Sequence, residues 1–74
     1  MIKNDQELQT TIERIQKFQQ QVAHLRQVEP NPTNFRLSAN GYLTEIDRMN
    51  MEVREYLWSH PSEHDEELAP ANAA

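Results

Sequence analysis

Apolar residues recur along the chain in two blocks, each at the spacing of an α-helix. In the first, Leu8, Ile12, Ile15, Phe18, Val22 and Leu25 follow at intervals of three or four, separated mostly by Gln, Glu, Arg and Lys. A helix completes a turn in about 3.6 residues, so this spacing gathers all six on one arc and leaves the polar residues to solvent. In the second, Phe35, Ala39, Tyr42, Ile46, Met49, Val53 and Tyr56 alternate intervals of four and three without a break. That is a heptad seam, sustained over three repeats.

The residues around these blocks supply starts and stops. Asn4 is placed to cap the free N–H groups of a first helix over about residues 5–28, and Glu7 to reach back toward it as in a capping box. Glu29-Pro30-Asn31-Pro32-Thr33 forms a short, stiff turn over about 29–33, because each proline disfavours the α conformation in the residue before it. Asn31 followed by Pro32 is a cap and first-turn pair, opening a second helix over about 33–59. Gly41 weakens that helix by about 1 kcal/mol relative to alanine and marks either a close contact or a local bend.

A turn this short makes the helices antiparallel neighbours. Residues whose numbers sum to about 64 are then expected at one height: Leu25 with Ala39, Val22 with Tyr42, Phe18 with Ile46, and so on down to Leu8 with Tyr56. Every such partner is apolar or aromatic. The expected fold is all-α, an antiparallel two-helix hairpin over residues 1–59, assembling into a four-helix bundle by dimerisation. Residues 60–74, acidic and then rich in Ala and Pro, lack the apolar surface to offset their ordering entropy and are expected to form a frayed or disordered tail.

Length makes assembly the central question. Below roughly 80 residues one core seldom supplies more than about 3–5 kcal/mol, and this chain of 74 residues has no cysteine for a disulfide or a thiolate zinc site. Several apolar residues also lie off the seam. Leu43 and Leu57 follow Tyr42 and Tyr56 and widen the stripe, while Met51 and Trp58 form a second strip, with Leu37 also outside. Trp58 is expected either to cover Met1 and Ile2 or to belong to a docking strip with Met51, since Trp and Met favour interface cores. The expected interface is Leu43, Leu57, Met51 and Trp58; the expected partner is a second copy, as dimer or tetramer, or one other protein.

Charge narrows the partners further. Of the formal net charge of −5, residues 1–59 contribute seven basic and eight acidic side chains, and the tail contributes Glu63, Asp65, Glu66 and Glu67. No Lys/Arg cluster offers a face to phosphates, so direct nucleic-acid binding is not expected. The polar start Met1-Ile2-Lys3-Asn4-Asp5 has no signal-peptide character and no apolar run would span a bilayer, which leaves the cytoplasm.

Chemistry has one motif to consider. His60-Pro61-Ser62-Glu63-His64 fits the H-x-x-E-H pattern of inverted zinc peptidases. That reaction needs both histidines on one face of a rigid helix, a third ligand and a cleft, whereas Pro61 interrupts the motif. His24 sits one residue from the seam, where a packing or surface role is the ordinary one. No catalytic residue, metal ligand set or cofactor is expected.

The opening Met1-Ile2-Lys3-Asn4, Lys17-Phe18 in the first helix and Glu45-Ile46 in the helix after the proline turn look like a known arrangement. Most of residues 1–58 resemble the N-terminal helical stalk of XRE-type helix-turn-helix regulators, including antitoxin-like proteins. In those regulators the stalk leads into a DNA-reading domain, whereas this sequence turns acidic at His60. The resemblance implies a free-standing stalk. The expected function is a non-catalytic oligomerisation or protein-interaction module, with an antitoxin-like component binding a toxin or regulator as the alternative, and metal binding through His60–His64 as a remote one.

Overall fold

The computed structural model describes residues 1–64, with side chains through Ser62. Two long helices, α1 (Asp5–Val28) and α2 (Pro32–Trp58), pack against each other as a hairpin, and a single turn, α3 (Pro61–His64), follows. The expected disorder of residues 65–74 lies outside the described residues.

Each helix starts at the asparagine that the sequence offers. The Asn4 side chain accepts the Glu7 N–H at 2.8 Å. The Glu7 carboxylate reaches back one residue further than a capping box requires, accepting from the Lys3 N–H at 2.8 Å. Asn31 is extended and its side-chain oxygen accepts from both Thr33 and Asn34, at 2.8 and 3.1 Å. Between the helices stand only Glu29, Pro30 and Asn31. Pro30 holds Glu29 in an extended conformation, which ends α1, while the Glu29 N–H still donates to the Leu25 carbonyl at 2.9 Å.

The core is small and sits midway along the hairpin. Ile15, Ile46 and Met49 form its buried cluster, with Phe18 and Val53 packed against it. Ala39 is buried nearer the turn, and Leu8, Ile12, Val22, Leu25, Phe35, Tyr42 and Tyr56 are half-buried. Phe18 and Tyr42 meet edge to face with ring centroids 5.5 Å apart. Near the open end, the Tyr56 hydroxyl donates to the Asp5 carboxylate. These two contacts join residues whose numbers sum to 60 and 61, about one helical turn from the expected 64. The cause is the turn: its centre is Pro30, because α2 starts at Pro32, so equal heights fall at sums near 60.

Two local expectations are corrected. Gly41 is no close contact: a methyl group built there meets nothing within 4 Å, and α2 runs through it unbroken. Trp58 does not cover Met1 and Ile2. Ile2 is instead buried on the other side of α2, in a hollow shared with Glu52, Glu55 and Tyr56. The segment after Trp58 begins with a helical turn, for which the His60 ring acts as cap: its Nδ1 accepts the Ser62 N–H at 3.1 Å, and Pro61 supplies a preset φ for the first position.

Candidate interaction surface

The two flanks of α2 on either side of the seam differ in kind. On one, Arg48 binds Glu45 through Nη2 at 2.6 Å and Nε at 3.2 Å, and Glu52 through Nη1 at 2.8 Å. The Arg48 hydrogen bond, and then its charge, hold the Glu45 carboxyl below its ordinary pKa, and the Arg48 guanidinium is raised in turn. The N-terminal ammonium lies 3.9 Å from Glu52, and Ile2 fills the space beside Met49 and Glu52. Charge is matched on this flank and apolar surface is covered.

On the other flank neither holds. Leu43 is 46 % exposed, Leu57 64 %, Met51 59 %, Leu37 74 % and Trp58 84 %. Leu43 and Leu57 lie two heptads apart in one row; Leu37, Met51 and Trp58 form a second row about 100° further around the helix, with the row of Asp47 and Arg54 between them. All five belong to α2, and the other large apolar residues so exposed, Met1 and Val28, lie outside it. Scattered surface hydrophobes are ordinary, but five of them in two rows of one helix concentrate the exposed apolar surface on α2.

Catalytic chemistry finds no such concentration. The surface hollows are shallow, the one beside Ile2 being about 440 Å³ and ringed by Met1, Glu52, Glu55, Tyr56 and Ser59. Among the described residues no three His, Cys, Asp or Glu side chains converge as metal ligands. The His60 ring is engaged with Ser62, its Nδ1 lying 2.9 Å from the Ser62 hydroxyl. The side chains of Glu63 and His64, the rest of the zinc-like motif, lie outside the described ones. No helix among the described residues is long and apolar enough to cross a membrane.

The sequence pattern draws attention to Leu43, Leu57, Met51 and Trp58, and the structure leaves all four exposed. What periodicity misses is the asymmetry between the flanks. Ile2 precedes the cap and belongs to no helical repeat, although an apolar residue shortly before a capping Asn is itself a signal of staple-like packing onto the first turn. The fold and surface together define a helical hairpin with one helix flank that the described residues leave uncovered. No family model, curated protein or solved structure matches the chain.

Proposed function

We propose that this protein is a non-catalytic assembly module of the cytoplasm, whose hairpin completes its core by pairing with a second copy through the exposed flank of α2. The observation that carries this reading is the strip of Leu43, Leu57, Met51 and Trp58, exposed on a chain with only a handful of buried residues. Two helices bury a narrow seam, and a second hairpin laid on the strip would convert it into the interior of a four-helix bundle. The resemblance to regulator stalks supplies the competing occupant, a toxin or regulator protein on the same strip.

Sedimentation of the purified chain across a dilution series tests this, with Trp58 emission as a second readout. Self-association at micromolar concentration, a blue-shifted Trp58 that moves to the red on dilution, and a monomeric Leu43→Glu/Leu57→Glu variant are expected. A helical monomer at every concentration would overturn the proposal. A stoichiometric protein that copurifies and keeps the chain monomeric would establish the competing occupant instead.

A further inference from the structure

The exposed flank of α2 carries more than apolar residues. Leu43, Asp47, Asn50, Arg54 and Leu57 succeed one another at intervals of four, three, four and three, a second heptad stripe on the same helix. At about 100° per residue it lies roughly 100° around the helix from the seam that faces α1. A helix in a four-helix bundle touches two neighbours at about that angle, so the stripe faces where a third helix would stand.

Its polar members are unused among the described residues. Among the described residues Asp47 and Arg54 form no ion pair, and no side-chain hydrogen bond is made by Asp47, Asn50 or Arg54. The contrast with Arg48, which engages two carboxylates on the opposite flank, is direct.

The stripe is also chemically symmetric about Asn50. A leucine stands seven residues before it and another seven after; an acid stands three before and a base four after. We infer that the occupant of this flank is a second α2, antiparallel to the first and related to it by a two-fold axis at Asn50. This rests on the self-association proposed above and specifies its geometry. Across such an axis Leu43 faces Leu57 of the second copy, Asn50 faces Asn50, and Asp47 lies beside Arg54, each contact made twice. A parallel arrangement in register would set Asp47 on Asp47 and Arg54 on Arg54, two like-charged pairs at one interface, and is disfavoured. The central amide pair has the role of a polar residue in a coiled-coil seam: it favours one register at some cost in affinity.

Charge reversal on the full chain tests the pairing by sedimentation equilibrium, with circular dichroism confirming that each variant stays helical. Asp47→Arg and Arg54→Asp are each expected to weaken self-association about tenfold or more, since two attractions become two repulsions. The double variant D47R/R54D restores it, and so does mixing the two single variants, whose unlike stripes then complement each other. A cysteine-free chain also permits a second readout that does not depend on charge. Asn50→Cys chains should cross-link to one another under a mild oxidant, whereas Leu43→Cys chains should not, because their sites would lie about 20 Å apart along the paired helices. Cross-linking of Leu43→Cys to itself, or single reversals that neither weaken association nor rescue each other, would overturn this geometry while leaving self-association standing. A wild-type monomer would remove both.

Discussion

The hydroxyl of Tyr56 and the carboxylate of Asp5 meet at 2.5 Å across 51 positions of sequence, tying the first residue of α1 to the last turn of α2. Hydrogen bonds to a charged acceptor are the stronger kind, but Asp5 is exposed and water competes for it. Tyr56→Phe keeps the ring in the seam and removes the bond. The expected loss is about 0.5–1 kcal/mol in urea unfolding, with Asp5→Asn losing no more.

Ile2 and Met49 separate two kinds of burial. Met49, 2 % exposed and held between Ile15 and Ile46, has neighbours on α1 and α2 that cannot close over a vacancy. Met49→Ala is expected to cost about 2–4 kcal/mol, comparable with the whole stability of a domain this small, and to leave the chain largely unfolded by circular dichroism in dilute solution. Ile2, equally hidden but carried on a segment before the first helix, can move when truncated. Ile2→Ala should cost about 1–2 kcal/mol, and its thermal melt should stay cooperative.

Gly41 offers a gain. It is helical, exposed and has open space where a side chain would begin. Gly41→Ala should stabilise the hairpin by up to about 1 kcal/mol by restricting the unfolded chain, read as a higher melting temperature with unchanged helicity. A loss of stability would show that the position is in contact in the assembled protein.

These positions show what the sequence can and cannot make legible. The seam is visible because burial between two helices imposes a repeat, and the helix starts are visible because Asn4 and Asn31 can satisfy N–H groups that the helix leaves open. The height of pairing is legible only to about a turn, since it depends on which residue begins α2 and a boundary carries no repeat. Ile2 escaped for the same reason. The apolar strip of Leu43, Leu57, Met51 and Trp58 could be picked out as surplus to the seam. That the opposite flank is covered by the chain's own N-terminus emerges only when Ile2 and Glu52 are seen side by side.

Acid offers a further measurement. The folded pKa of Glu45 lies below its unfolded value, so its contact with Arg48 contributes stability at higher pH and loses it as pH falls through the folded value. Arg48→Ala should return Glu45 toward its ordinary titration, followed by the carboxyl-carbon shift in NMR, and should make the hairpin less sensitive to acid over that interval.

The three-residue connection between Val28 and Pro32 also sets the order in which the molecule closes. Contacts beside it join residues close in sequence, where little chain entropy is lost, and each successive layer lengthens the enclosed loop by only a turn of helix on either side. Folding can therefore run like a zip from Pro30 outward, with the Tyr56 to Asp5 bond as its final tooth. Opening runs the other way, so amide hydrogens near Asp5 and Trp58 should exchange with solvent well before those flanking Ile15 and Ile46, and the free ends become the part of the hairpin that breathes.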